Sequence, residues 1–180
     1  MNIIKNKSIA ILGVLALVTS MAFSAFAGPR DVTVQGEKVR KQLVTLPYYG
    51  VFDNLAFKVD GNVVTLYGQV TRPTTRKDAQ RRVSRIEGVS SVVNNIEVLP
   101  LSSFDNQIRV RTYRAVFGKA SLYRYALGAN PSIHIVVNHG NVTLEGVVSN
   151  KADSQIANIA ANGVSGVFSV TNNLKVLSQG

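Results

Sequence analysis

Apolar and polar positions along the chain follow the same order twice. Apolar residues spaced as on one face of a helix run from Val34 to Leu46, and Pro47 and Gly50 close this segment. The next segments predict a hairpin, a second helix and a third strand, over Leu55–Val59, Asp60-Gly61-Asn62, Val63–Val70, Thr75–Glu87 and Val89–Leu99. The predicted order is therefore helix, strand, strand, helix, strand.

One face of the second strand is expected to meet the helices. Alternate positions of this strand share that face, and the second helix offers apolar residues at spacings of four and three. These positions are Val64, Leu66, Gly68 and Val70 on the strand and Ala79, Val83 and Ile86 on the helix. We expect them to form the core of a small α+β unit.

The second half of the chain repeats the first at an offset of 78 positions. Residues 39–99 align with residues 117–177 without gaps, with 17 identities in 61 pairs, which indicates an internal duplication. The identities include Gly50 with Gly128, Val64-Thr65-Leu66 with Val142-Thr143-Leu144, and Gly68 with Gly146. We expect Pro100 to Asn106 to connect the copies and Gln107 to Tyr125 to form the first helix of copy two. Units this small bury little apolar core, so we expect the two copies to pack against one another.

A family resemblance follows from the spacing of glycines and valines. The pattern Gly-x-Val-x-Leu-x-Gly-x-Val, then a helix, then Gly-Val-x-x-Val-x-Asn, resembles the BON domain family. It is met by Asn62 to Val70 with Gly88 to Asn94 or Asn95, and by Gly140 to Val148 with Gly166 to Asn172 or Asn173. In the first copy Asn62 stands where the leading glycine is expected.

The resemblance implies, for each copy, two helices on a three-stranded sheet. It also implies a cell-envelope location, binding to membranes or envelope proteins, and no enzyme. The tandem arrangement is similar to that of the osmotically inducible protein Y group. The predicted domains are a signal peptide at 1–27, a first BON-like domain at 28–100, a connector at 101–106 and a second BON-like domain at 107–180.

The first residues have the features of a secretory signal. Lys5 and Lys7 precede the apolar run Ile9–Val18, and Ala25-Phe26-Ala27 predicts cleavage after Ala27. An uncleaved membrane anchor is the alternative. Cysteine is absent from the chain, which excludes disulfides and thiolate chemistry and leaves the exported fold to hold by packing alone.

The mature chain is basic. The formal net charge of +10 becomes +8 when Lys5 and Lys7 are removed, and such a charge on an exported protein favours anionic partners such as phospholipid head groups or acidic polysaccharide. The alternative is that the charge serves solubility alone.

A basic stripe is predicted on the second helix of copy one. Lys77, Arg81 and Arg85 recur every four residues and would suit phosphate groups. Export argues against genomic DNA, and no aromatic residues are interleaved for stacking on single strands. The alternative is a solvated helix face on which Asp78 pairs with Arg82.

The two copies differ at positions that should face solvent. Asp78, Arg81 and Arg85 correspond to Ile156, Ile159 and Gly163, so we expect something to cover the two isoleucines. The candidates are lipid, the interface between the copies, or a self-association surface.

The predicted first helix of copy two mixes arginines with aromatic residues. These combine apolar bodies with polar ends, a composition suited to a membrane interface or to a protein groove. The arginines are Arg109, Arg111, Arg114 and Arg124, and the aromatic residues are Tyr113, Phe117, Tyr123 and Tyr125.

Catalytic chemistry is not indicated. His134 and His139 are the only histidines and form no metal-binding pattern, and no nucleophile motif or phosphate-binding glycine loop occurs. We therefore expect no cofactor, no metal and no small-molecule substrate. The predicted function is non-enzymatic binding to anionic phospholipid or envelope proteins in stress and envelope maintenance. The alternatives are a periplasmic chaperone-like or scaffolding protein and an exported polyanion binder.

Overall fold

The computed structural model describes residues 29–128 and 130–177. It contains two units in which a helix, a strand pair, a helix and a further strand follow in order. The first comprises α1 Pro29–Val44, β1 Asn54–Asp60, β2 Val63–Val70, α2 Pro73–Val83 and β3 Ser91–Val98. The second comprises α3 Ser103–Phe117, a short 3-10 helix Tyr123–Ala126, β4 Ile133–Asn138, β5 Asn141–Val148, α4 Lys151–Asn162, β6 Ser169–Asn172 and β7 Lys175–Val176. The predicted fold class is confirmed. The predicted signal peptide lies outside the described residues.

Each sheet combines antiparallel and parallel strand pairing. β1 pairs antiparallel with β2, and β2 pairs parallel with β3 after the crossover through α2. In the second unit β4 pairs antiparallel with β5, while β6 and β7 pair in parallel with successive parts of β5. β1 and β4 are therefore edge strands within the described sheets.

The helices cover one face of each sheet, and the core lies between them. Val64, Leu66 and Val70 of β2 are fully buried, as are Ala79 and Val83 of α2. This confirms the face predicted from strand alternation. The second unit repeats the arrangement with Val142, Leu144 and Val148 on β5 and Ala157 and Ala161 on α4.

One glycine in each hairpin lets the two strands approach closely. Gly68 has φ +111°, and a Cβ added there would lie 2.0 Å from the Asn54 carbonyl oxygen. Gly146 has φ +119° and would meet the Ser132 carbonyl oxygen at the same distance. No other residue type fits this combination of backbone angle and contact. The repeated glycine therefore marks a required position in both copies.

The first helix of the second unit differs from the prediction. α3 begins at Ser103, inside the predicted connector, and ends at Phe117 instead of Tyr125. A turn and the 3-10 helix then bury Leu122 and Tyr125. The loop from helix to first strand is therefore longer in the second unit, and the gapless offset of 78 aligns the strands and second helices but not the first helices.

The two units contact each other through the loop that precedes β1. The Val51 carbonyl accepts a hydrogen bond from Ile135 N–H of β4 at 2.7 Å. Phe52 packs against the core of the second unit, and its ring meets Tyr113 edge-on at 6.2 Å between centroids. The two copies thus pack against one another, as expected, through this loop.

His134 lies inside the same junction and is buried. Its Nδ1 is 3.2 Å from the Gly50 carbonyl oxygen, and its ring stacks at 5.4 Å on Tyr49. Burial lowers the pKa of His134 and raises the pKa of Tyr49 to about 12. A neutral imidazole therefore donates to Gly50, and its Nε2 faces the Tyr49 hydroxyl at 3.5 Å. His134 therefore joins the loop before β1 to β4.

Candidate functional site

The predicted basic stripe lies on the outside of the first unit. Lys77 and Arg81 are exposed on α2, and Arg85 is exposed in the turn that follows the helix. Arg72 and Arg76 are also exposed nearby. We call these five residues the basic surface. Lys77 and Arg81 project into solvent because the buried residues of α2, Thr75, Ala79 and Val83, occupy the opposite face. The Arg72 guanidinium lies over the Tyr48 ring, 4.7 Å from its centroid.

The ion pairing on this surface differs from the expectation. Asp78 pairs with Arg81 at 2.7 Å, and the predicted pair with Arg82 is wrong. Arg82 instead turns towards the end of α1 and donates to the Thr45 carbonyl and hydroxyl oxygens at 3.3 Å. In the described part of the chain the only other ion pair joins Arg124 to Asp153. Apart from Arg81, the basic surface therefore carries charges with no carboxylate partner.

The arginines of α3 divide into exposed and buried members. Arg111 and Arg114 are exposed, and Arg111 donates to the Ser165 carbonyl just beyond α4 at 3.3 Å. Arg109 is only 4% exposed and donates to the Val137 carbonyl at 2.8 Å. Burial lowers the pKa of its guanidinium. The prediction that Arg109 belongs to an interfacial mixture is therefore wrong, because its side chain is buried and its hydrogen bond joins α3 to β4.

Tyr123 and Arg124 lie on the 3-10 helix and not on α3. The Tyr123 ring is exposed. Arg124 pairs with the buried carboxylate of Asp153, which also accepts from the Tyr125 hydroxyl at 2.6 Å. The hydrogen bond from Tyr125, together with Arg124, lowers the pKa of Asp153. Asn150 closes the group as the N-cap of α4, so Arg124 has a structural partner.

The two isoleucines of α4 have different environments. Ile156 is half-buried and packs against the core of its own unit. Ile159 is 70% exposed, so the interface between the two copies does not cover it, and cover by lipid or by self-association stays a prediction. α4 packs on α3, β5, β6 and β7 of its own unit. The junction between the copies is formed by the loop before β1 instead.

An exposed apolar group at the start of α3 was not predicted from the sequence. Phe104 at the start of α3 and Phe168 before β6 have ring centroids 5.9 Å apart, and Phe168 is 73% exposed. Leu101 is 97% exposed a few residues upstream. The two rings are 64 residues apart in sequence, and no local periodicity links them. Only the repeat unit's topology brings them together.

The described residues contain no group of three or more His, Asp or Glu side chains placed to hold a metal ion. His139 lies in the β4–β5 turn with φ +50°, away from the junction that buries His134. Among the helices of the described residues, none combines the length and the apolarity required to cross a bilayer.

Comparisons with known proteins agree with the repeated architecture. Residues 31–100 and 120–178 match the sequence profile of the BON domain. Osmotically-inducible protein Y of Escherichia coli (strain K12) is 32% identical over 127 residues, covering 68% of this chain and 61% of that protein. The chain thus spans less than two thirds of the length of that relative.

Solved structures offer a more distant similarity. The C-terminal domain of CdsD, the structural protein of the type III secretion system of Chlamydia trachomatis, aligns with 78% of this chain and 96% of its own at 10% identity and a TM-score of 0.28. A second CdsD structure aligns at 12% identity and a TM-score of 0.29, over 78% of this chain and 91% of its own. The two sequence-profile matches identify the family, and this chain belongs to the BON domain family as a tandem BON protein.

Proposed function

We propose that this chain is an exported, periplasmic, non-enzymatic protein that associates with anionic phospholipid surfaces and serves envelope maintenance under osmotic stress. One observation carries the proposal. Lys77, Arg81 and Arg85 form an exposed basic row in which only Arg81 has a carboxylate partner. The BON family and the similarity to an osmotically inducible protein support the envelope setting.

The proposed adsorption is weak and sensitive to salt. A basic residue near an anionic leaflet contributes about 1 kcal/mol. The four members of the basic surface without an ion pair then supply roughly 4 kcal/mol, which corresponds to a dissociation constant of about 1 mM. Tighter binding requires apolar contact as well, and burying one isoleucine adds about 1.5 to 3 kcal/mol. Ile159 is the exposed isoleucine of α4.

The direct test is cosedimentation of the protein lacking residues 1–27 with neutral and anionic liposomes at low and high salt. The informative variant changes Lys77, Arg81 and Arg85 together to Gln. Its affinity for anionic liposomes should fall about thirtyfold, because two of the four contributions of about 1 kcal/mol, those of Lys77 and Arg85, are removed. High salt should weaken the wild type in the same direction.

A matched control separates the basic surface from net charge. Lys58, Lys119 and Lys175 are exposed and scattered over both units, and changing them together to Gln removes the same three charges. This control should bind nearly as well as the wild type. Equal loss in the two triple variants would show that net charge alone acts, and absence of binding to anionic liposomes would refute the proposal.

Protein partners are the second candidate, because Ile159 presents an uncovered apolar side chain on α4. A chaperone-like or scaffolding role would be indifferent to lipid charge. Ile159→Asp is the informative change, since Ile156 also supports its own core. If Ile159→Asp leaves liposome binding intact and abolishes capture of envelope proteins, the protein-binding role is favoured. If it weakens liposome binding at high salt, Ile159 contacts lipid.

A further inference from the structure

A groove follows the outer edge of β1 in the first unit. Its volume is about 310 Å³, and its wall includes the consecutive residues Leu55, Ala56 and Phe57. Successive side chains of a strand point to opposite faces, so a cavity that all three line must lie along the strand edge. Within the described residues β1 pairs only with β2. The other edge of β1 therefore presents backbone N–H and C=O groups that no neighbouring strand uses.

The groove continues towards the second unit. A neighbouring cavity of about 350 Å³ shares four wall residues with it and reaches Ser132, His134, Gly146 and Val147 of the second unit. The shared residues are Arg40, Val44, Tyr49 and Leu55. We call the two cavities together the edge groove. It passes from the edge of β1 to the edge strand of the second sheet, β4.

The lining of the edge groove selects the kind of occupant. Its floor is apolar, with Leu43 buried and Val44, Leu55 and Phe57 half-buried. Arg40 is exposed on α1 and is its one permanently charged wall residue, and the described wall carries no carboxylate. An occupant should therefore bring an apolar side chain to the floor and an acidic group to Arg40.

We propose that the edge groove binds an extended polypeptide segment that adds a strand to β1, with apolar residues at alternate positions and an acidic residue facing Arg40. A free strand edge supplies main-chain hydrogen bonds to such a segment, while the neighbouring pockets select its side chains. This site is independent of the proposed lipid contact, because no member of the basic surface lines the edge groove.

The occupant is a peptide and not a lipid tail because of the strand edge. An acyl chain would satisfy the apolar floor and, through its head group, Arg40. It would leave the hydrogen-bonding groups of β1 unused. A seven-residue segment would match the seven residues of β1, Asn54–Asp60, since both chains advance by the same rise per residue.

The test uses the protein lacking residues 1–27 and a capped probe peptide of sequence Val-Thr-Glu-Thr-Val-Ser-Val. Its Glu shares a face with the valines, because Arg40 lies one turn from the floor residue Val44 on α1. Two further peptides carry backbone N-methyl groups, one at the odd and one at the even positions. In an added strand only every second N–H donates to β1. One methylated peptide should therefore bind within about twofold of the parent, and the other at least about tenfold more weakly, because several hydrogen bonds are lost.

The position of the bound peptide is read from backbone amide chemical shifts. The largest changes should fall on residues 54–58 and on the end of α1. Arg40→Gln should weaken the parent peptide several-fold and leave a peptide with Gln in place of Glu unaffected. Arg76→Gln removes an exposed charge on α2, outside the groove, and should change neither affinity.

Three outcomes would overturn the proposal. If neither the parent nor the Gln-substituted peptide binds at millimolar concentration, the groove does not take strands. If both methylated peptides bind as well as the parent, the contact is apolar adsorption, and an acyl chain becomes the better occupant. If shifts appear on α2 or α4 instead, the peptide binds elsewhere. None of these outcomes affects liposome binding through the basic surface, so the two proposals fail separately.

Discussion

Replacing Gly68 by alanine should unfold the first unit, whereas the same change at Gly61 should be tolerated. Gly68 has φ +111°, and a Cβ there would lie 2.0 Å from the Asn54 carbonyl oxygen and 3.2 Å from Leu55 Cα. The backbone strain alone costs about 1 to 3 kcal/mol. The clash adds to it, because the contact is with backbone in the middle of the sheet and cannot be relieved by a rotamer change.

The total should exceed about 4 kcal/mol, which is a large part of the stability of a small domain. Gly61 is the matched control, since its φ is +54° and nothing lies within 4 Å of an added Cβ. A left-handed non-glycine residue costs about 1 to 2 kcal/mol. Gly61→Ala should therefore lower the melting temperature by about 4 to 16 °C.

Thermal unfolding by circular dichroism and amide exchange of residues 63–70 would distinguish the variants. Gly68→Ala should lose exchange protection in β2 at 25 °C, and Gly61→Ala should retain it. Melting temperatures that agree within a few degrees would refute the reasoning, because they would show that the sheet accommodates a Cβ at Gly68.

The remaining predictions concern the junction between the units and the start of α4. Burial in the junction lowers the pKa of His134, so its imidazole binds a proton more readily when the junction is open. Junction stability should therefore be complete above the ordinary histidine pKa of about 6.5 and fall as the pH drops below it. His134→Gln should flatten this dependence in interdomain amide exchange, and His139→Gln should not; an unchanged profile in His134→Gln would exclude the junction as its source. Phe52→Ala should lower the melting temperature of the second unit although Phe52 belongs to the first, because the ring packs on the second core; destabilisation confined to the first unit would contradict this. Asp153→Ala should lower the free energy of unfolding by about 1 to 3 kcal/mol in urea titration, since the buried Tyr125 hydroxyl loses its acceptor, whereas the exposed Arg124 side chain remains in water; an unchanged free energy of unfolding would refute that role.

The strands and second helices were predictable because local patterns specify them. Alternation along β2 placed Val64 and Leu66 on the buried face, and the Asp60-Gly61-Asn62 turn was visible as a hairpin signal. The first helix of the second unit was not predictable to its end. Its helix-like composition continues through Tyr123 to Tyr125. The chain nevertheless turns after Phe117, and this turn places Leu122 and Tyr125 in the core.

The candidate site was predictable only where exposure follows from helix periodicity. The exposed positions of Lys77, Arg81 and Arg85 follow from their spacing on α2. Arg109 and Arg124 could not be told from solvated arginines, because their partners, the Val137 carbonyl and Asp153, are 28 and 29 residues away in sequence. The edge groove could not be predicted, since one of its cavities depends on how α1 packs beside β1 and the other on how the second unit is placed against β1.

The most direct measurement of the central claim locates the membrane contact on the protein. Backbone amide signals of the protein lacking residues 1–27 would be recorded with anionic vesicles that carry a spin label on the lipid head group. The account predicts the strongest line broadening at residues 72–85, around the basic surface, and its loss at high salt. Uniform broadening over both units, or broadening absent from α2 while vesicles are bound, would contradict the account.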